Sequence, residues 1–278
     1  MDYNKFQILE FKLQQMVRDP SIVMIAKRGA GKSFVARDII HHYRHIPGGL
    51  VIAPTDRMNS FYKFFFPDLY IHYEIKEMTL PKILARQKIM ITKERNKKKE
   101  GKKVDPSSIL IMDDCLARKK SWAKDENIME ILMNGRHYRL TYILTMQTPL
   151  GIMPELRLNF DYVFLLKEDS TINKKKLWDN YASIFPTLNA FEKVFSACTE
   201  DFRSMVIDNR KPSGNINQKV FWFKAKIPKK FHFGSREFVK IHKVYYDPLF
   251  DSNKGILDPS ILLGKKKRND VDIKVDLK

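Results

Sequence analysis

The chain has 278 residues, 44% of them hydrophobic and 30% charged. That composition excludes a disordered polymer and allows one large α/β domain with additions, or two small domains. No run of eighteen apolar residues is present, which argues against a membrane-spanning helix.

The opening MDYNKFQILEFKLQQM mixes charged with apolar residues and has no signal-peptide core, so a cytoplasm-like compartment is expected. Cys115 and Cys198 make no disulfide framework, in keeping with reducing conditions. The formal net charge of +19 attracts polyanions, nucleic acid first among them. Charge alone does not separate that reading from simple solubility or a lysine-biased genome.

The elements follow in chain order as alternating strands and helices, which predicts a largely parallel sheet with helices on both faces. Ser21 to Ala26 (SIVMIA) is a buried strand, followed by a glycine-containing turn and a helix from about Ser33 to Tyr43. Leu50 to Ala53 (LVIA) is a second strand, stopped by Pro54, and the aromatic run Phe61 to Phe66 is expected to pack as core. Residues 93–103 (KERNKKKEGKK) carry seven basic and two acidic side chains and read as a helix end and a mobile loop. Ile109 to Met112 is a third strand, 125–135 a helix, Tyr142 to Met146 a fourth strand and Tyr162 to Leu166 a fifth. Beyond about residue 205, MVID and VFWFKAK read as short strands of a small C-terminal β appendage. The expected division is a core over 1–210, a β-rich extension over 211–263 and a basic, disordered tail over 264–278.

The segment Ala26-Lys27-Arg28-Gly29-Ala30-Gly31-Lys32-Ser33 matches the phosphate-loop pattern G-x-x-x-x-G-K-[ST] at every position but the first. The required context is present, a buried strand before it and a helix after it. Gly29 and Gly31 allow the backbone angles that turn successive N–H groups toward a phosphate. The helix N-terminus favours negative charge. Lys32 can reach β- and γ-phosphates, and the Ser33 hydroxyl can ligate Mg²⁺. Ala26 in place of glycine needs only β-like backbone angles.

A second site follows from ILIM-Asp113-Asp114, an apolar strand that ends in two acids at the carboxyl edge of the sheet. Asp113 is the candidate metal residue, acting through water, and Asp114 the candidate base for the attacking water. Without the phosphate loop, the pair would read as an ordinary turn. The next strand ends in Gln147, and eleven residues before it stands Arg136, with Arg139 close behind. Taken singly these residues carry little, since surface arginines are mostly solvated.

Together, AKRGAGKS, ILIMDDC, NGRH…ILTMQT and LRLNFDYVFLLKE resemble the genome-packaging ATPases of nucleocytoplasmic large DNA viruses, members of the FtsK–HerA superfamily of DNA pumps. The resemblance spans roughly residues 18–210; IAPTDRMNSFYKFFFPDLYIH and VFWFKAK also look like parts of that family. It implies an additional-strand core, with the Gln147 strand between the phosphate-loop strand and the Asp113 strand. It further implies ATP and Mg²⁺ as cofactors and a homo-oligomeric ring around double-stranded DNA. A trans arginine completes each interface, with Arg136 the first choice, Arg139 the second and Arg157 possible. Asp114, where many ATPases carry glutamate, is a departure that bears on the identity of the base.

The implied function is an ATP-driven translocase that packages a viral genome, working in the host cytoplasm or virion with capsid or membrane-associated virion proteins. DNA would be held through phosphates, by Lys97, Lys98, Lys99, Lys102 and Lys103 or by Lys119, Lys120 and Lys124. A related helicase or conjugation-type pump shares the same motifs. A nucleotide kinase also has a phosphate loop but needs a lid, for which no signature is seen. A non-catalytic DNA-binding virion protein would not need Lys32, Ser33 and Asp113 intact.

Overall fold

A computed structural model of the chain describes residues 7–115 and 125–247. Its centre is a nine-stranded sheet: β1 Leu9–Glu10, β2 Ser21–Ile25, β3 Gly49–Ile52, β4 Ile71–His72, β5 Ser108–Asp113, β6 Leu140–Met146, β7 Tyr162–Leu165, β8 Arg203–Asp208 and β9 Val220–Lys224. The spatial order is β1-β9-β8-β7-β2-β6-β5-β3-β4. Among the described residues β8 alone runs against the others, pairing antiparallel with β7 and with β9. The helices are α1 Lys32–His42, α2 Thr79–Lys99, α3 Glu126–Asn134, α4 Pro154–Arg157, α5 Thr171–Tyr181, α6 Leu188–Thr199, α7 Ile216–Lys219 and α8 Arg236–Tyr245.

The strands are apolar on both faces because both faces are covered, and side chains alternate between them. Ile22 and Met24 of β2 join Val35, Ile39 and Ile40 of α1 and the C-terminal Phe233 and Phe238 in one layer. Val23 and Ile25 point the other way, to Leu80 and Leu84 of α2, Ile128 and Ile131 of α3, and Phe191 and Phe195 of α6. Each such fully buried side chain contributes roughly 1.5–3 kcal/mol of transfer free energy. The sheet is therefore a rigid plate whose carboxyl edge can hold loops in fixed places.

The expected strands and helices stand within one or two residues of their observed limits. Asp125 caps α3, accepting from the amides of Asn127 and Ile128. The expected position of the Gln147 strand is also observed, since β6 lies between β2 and β5. In the aromatic run, Tyr62, Phe65 and Phe66 are buried as expected, whereas Phe64 is exposed. Of the basic run at 93–103, residues 93–99 are the end of the 21-residue α2 and 100–103 follow it as a turn and loop; the last helical turn places Lys97, Lys98 and Lys99 at the negative end of the helix dipole.

The region beyond residue 205 differs from its expected form as a β appendage. β8 and β9 are strands of the central sheet itself, because MVID and VFWF supply apolar side chains to both layers. Within 211–263 the described residues hold one strand, β9, with α7 and α8 around it. Ser235 caps α8 by accepting from the Phe238 amide, and Phe238 seats that helix by stacking on Tyr70 and packing edge-on against Phe66. The tail over 264–278 lies outside the described residues, as do Lys119, Lys120 and Lys124.

Candidate functional site

A chain that leaves β2 at the carboxyl edge must turn sharply to enter α1. Gly29 and Gly31 make that turn with φ of 80° and 93°, in the left-handed region that favours glycine. Gly31 caps α1, and Lys32 is its first residue. Ala26 needs no such freedom. It continues the strand, donating its N–H to the Met146 carbonyl at 3.0 Å, and is buried. The departure from the usual glycine is thus absorbed by ordinary sheet geometry.

The loop forms one wall of a cleft of about 1060 Å³. Lys27, Arg28, Gly29, Gly31, Lys32 and Ser33 line it from the loop, Asp113, Asp114 and Gln147 from the strand ends beside it. Ala30, in the same loop, is buried. Lys32 reaches across to the acids, its Nζ 3.3 Å from Asp113 Oδ1 and 2.5 Å from Asp114 Oδ1. These are ionic contacts; neither Lys32 Nζ nor Asp114 Oδ1 meets hydrogen-bond geometry with any protein group, although both atoms are buried. The pair is held by charge at contact distance and opens onto the cleft.

The acid pair is held from several sides. Thr145 of β6 donates its hydroxyl to Asp113 Oδ1 and accepts the Asp114 N–H at 3.2 Å. Asp114 itself has φ of 50°, an uncommon left-handed conformation for a residue with a side chain. The amide of Gln147 donates to Asp114 Oδ2 at 2.9 Å. Tyr62, wholly buried, hydrogen-bonds Asp113; burial above all, then the charges of Asp113 and Asp56, push its phenol well above its ordinary range. It therefore stays a neutral donor. Asp56 fixes the turn that carries Tyr62, accepting from the amides of Phe61 at 2.7 Å and Tyr62 at 3.1 Å. Burial raises the Asp56 carboxyl above the usual carboxylate range.

On the other flank, Lys27 pairs with Asp169, which follows β7. That hydrogen bond raises the Lys27 ammonium and lowers the Asp169 carboxyl from their ordinary values. Beyond it the cleft is lined by Asp201, Phe202, Lys224, Ala225 and Ile227. Asp201 and Phe202 are both left-handed, with φ of 50° and 59°, a strain of roughly 1–3 kcal/mol each.

The arginines read from the sequence stand elsewhere. Arg136 and Arg139 precede β6, at the opposite edge of the sheet from the cleft. Arg136 is paired with Asp161, whose other oxygen accepts the Ser21 N–H at 2.9 Å. Arg139 lies 3.5 Å from Asp19 and 3.7 Å from Glu94. Arg157 is buried; it donates to the Ile152 carbonyl and to Asn180, and so braces the loop after Gln147. The structure therefore gathers Lys32, Ser33, Asp113, Asp114 and Gln147 in one cleft, and does not bring Arg136 to them within one chain.

Sequence reading missed Thr145, Tyr62, Asp56 and Phe202. Thr145 had a visible signal, a polar residue in the otherwise apolar YILTM. Tyr62 was hidden among phenylalanines and shows its role only through its hydroxyl. Asp56 and Phe202 are brought to the cleft by loop geometry that no spacing encodes.

The sequence model of the poxvirus A32 protein family matches residues 8–176, more than half of the chain. Protein L437 of Acanthamoeba polyphaga mimivirus is 61% identical over 280 residues, covering 100% of this chain and 98% of its own length. Protein 075L of Invertebrate iridescent virus 6 is 32% identical over 84% of this chain and 88% of its own. Among solved structures, the genome packaging NTPase B204 of Sulfolobus turreted icosahedral virus 2, in complex with AMPPCP, superposes with a TM-score of 0.52 at 15% identity. It covers 76% of this chain and 100% of that one, and at this identity the likeness is one of fold. The resemblance carried by the motifs is borne out: the chain belongs to the poxvirus A32 protein family, with relatives in large DNA viruses.

Proposed function

We infer that the protein is an ATPase that drives double-stranded DNA into a viral capsid. The observation that carries this reading is the Lys32 ammonium seated against Asp113 and Asp114, with Gln147 bonded to Asp114, at the mouth of a phosphate loop. That set is the minimum for holding a nucleoside triphosphate and orienting water at its last phosphate. The likeness of the fold to a viral packaging NTPase supports the same direction.

Each residue then has a task. The amides of the 27–33 loop and the α1 N-terminus cradle the phosphates. Lys32 leaves the acids for the β- and γ-phosphates. Ser33 and Asp113 would hold Mg²⁺, their hard oxygen donors suiting it, and the ion supplies neutralisation of phosphate charge. The residues fit that group, since the acid pair already sits against a positive charge in the structure. Asp114 accepts a proton from the attacking water or orients it. Gln147, on the same carboxylate, positions that water. Tyr62 and Thr145 keep Asp113 in one orientation.

An arginine from a neighbouring subunit of a ring, of the FtsK–HerA kind, completes the reading. Arg136 is our assignment, and to act in that way it must exchange Asp161 for the neighbour's nucleotide. The charge of +19 serves DNA held through phosphates. Lys97, Lys98, Lys99, Lys102 and Lys103 are the candidate grip, at the sheet edge opposite the cleft. Glu100 lies 2.8 Å from Lys97 and 3.3 Å from Lys102, which tempers those two. Among the described residues no helix is long and apolar enough to cross a membrane. Work in the host cytoplasm, at the site of virion assembly, fits this reading.

The test is the ATPase rate of the purified protein with and without duplex DNA, its oligomeric state recorded alongside. Hydrolysis stimulated by duplex supports the pump. Phosphate transfer to a small acceptor, or DNA binding without turnover, overturns it.

A further inference from the structure

The cleft has two ends of unlike character. On the β6 and β5 side of β2 stand Lys32, the acid pair and Gln147. On the β7, β8 and β9 side stand Asp201, Phe202, Lys224, Ala225 and Ile227. Nothing in the phosphate chemistry uses that second end.

Its composition is unusual for a surface. Phe202 is 74% exposed and Ile227 71%, and Phe34, the residue after Ser33, is 54% exposed. Met58, also on the cleft, is 90% exposed; single exposed apolar side chains need no explanation, but four around one cleft mark a surface meant to be covered. Phe202 is also presented by a strained turn. Asp201 at φ 50° and ψ 42° is followed by Phe202 at φ 59°. An aromatic residue rarely adopts that backbone, and two left-handed residues in a row persist only where the surroundings hold them. The turn brings the ring to the phosphate loop: a Cβ placed on Gly31 would lie 3.8 Å from Phe202 Cδ1. An exposed aromatic ring thus adjoins the loop on the side away from the acids.

A nucleoside triphosphate has one charged end and one flat, weakly polar end, joined by a ribose. Once Lys32 and the acids take the triphosphate, the base falls at the other end of the cleft. We propose that Phe202, with Ile227 and Phe34, forms the base-binding end of this cleft and holds the purine ring by stacking and apolar contact. The inference rests on the reading of the cleft as an ATP site. Stacking on an aromatic ring is worth enough to decide affinity, and it does not depend on the edge of the base. The base end therefore supplies affinity, while the phosphate end supplies chemistry.

The experiment compares two ligands on the full-length protein by calorimetry, each with the same Mg²⁺: ATP, which has a base, and inorganic triphosphate, which does not. Phe202→Ala should weaken Mg-ATP about tenfold and leave triphosphate within about twofold. Phe202→Trp should restore Mg-ATP binding, and Ile227→Ala should weaken it in the same selective way. Equal loss of both ligands in Phe202→Ala would show that the turn only props the phosphate loop, and would overturn the proposal. So would unchanged Mg-ATP affinity in that variant, or a parent protein that binds triphosphate as well as Mg-ATP. Lys32→Ala, by contrast, should lose both ligands. A parent protein that binds neither ligand overturns the ATP reading, and this inference with it.

Discussion

The two edges of the sheet carry charge in opposite ways. At the edge where the parallel strands begin, Arg136, Arg139 and Arg18 are each met by a carboxylate: Asp161, Asp19 and Asp105 in turn. At the edge where they end, Lys32 faces two carboxylates at once, with its Nζ and an Asp114 oxygen short of good hydrogen bonds. The first arrangement tethers chain segments away from the cleft, although one buried Asp19 oxygen is left without a hydrogen bond there too. The second is incomplete and has room beside it. Charge density therefore does not distinguish a site from a scaffold; unsatisfied geometry next to a cleft does.

The strongest test of that contrast removes the charge at the carboxyl edge. Lys32→Ala should abolish measurable ATP hydrolysis in a protein that still folds, with its thermal unfolding temperature lowered by the lost counter-charge on Asp113 and Asp114. Asp113→Asn should likewise remove Mg²⁺-dependent turnover. Normal turnover in a folded Lys32→Ala protein would erase the difference between the edges.

The next test takes the opposite edge. If Arg136 acts on a neighbour's nucleotide, Arg136→Ala should cut turnover by roughly 10³–10⁵ with ATP affinity little changed. Mixing it with Lys32→Ala protein should then partly restore activity, because some interfaces carry both parts intact. No recovery in rings shown to have exchanged subunits would leave Arg136 as a tether to Asp161 and nothing more.

Asp114→Asn sharpens the comparison within the cleft. Asparagine tolerates the left-handed backbone of position 114, so the turn should survive. The variant should bind Mg-ATP and hydrolyse it about 10²–10⁴-fold more slowly, as loss of a general base predicts. The same rate as the parent would make Asp114 a turn residue.

The smallest effect is expected from the lysines at the end of α2. Neutralising about six phosphates gives a log–log salt slope near −5 for duplex DNA. Replacing Lys97, Lys98 and Lys99 with glutamine should flatten that slope by about 0.9 per lost contact, equally on any sequence. An unchanged slope would move the grip to other residues.

The strand–loop–helix at 21–43 and the strand ending in Asp113 were legible because apolar runs and glycines are local signals. The place of β6 between β2 and β5 was legible only through family resemblance, since strand order is set by pairings across long stretches of chain. The same nonlocality hid the way β8 and β9 extend the sheet. At the site, Lys32, Ser33, Asp113, Asp114 and Gln147 follow from motif position. The Tyr62 hydroxyl on Asp113 and the strained Asp201–Phe202 turn do not, because each depends on where a distant loop comes to rest. Arg136 was read from the family resemblance alone; within its own chain it pairs with Asp161, 25 residues on, and its action on a neighbour is what the mixing experiment decides.

The ammonium of Lys32 between two acids has a thermodynamic consequence. An ATP molecule that draws this lysine onto its phosphates strips two nearly buried carboxylates of their counter-charge. Triphosphate and divalent cation are then coupled ligands: each must raise the affinity for the other by the same factor. The empty protein should be a poor receptor for either alone and a good one for the pair, so that the lysine acts as a placeholder which only the complete substrate displaces.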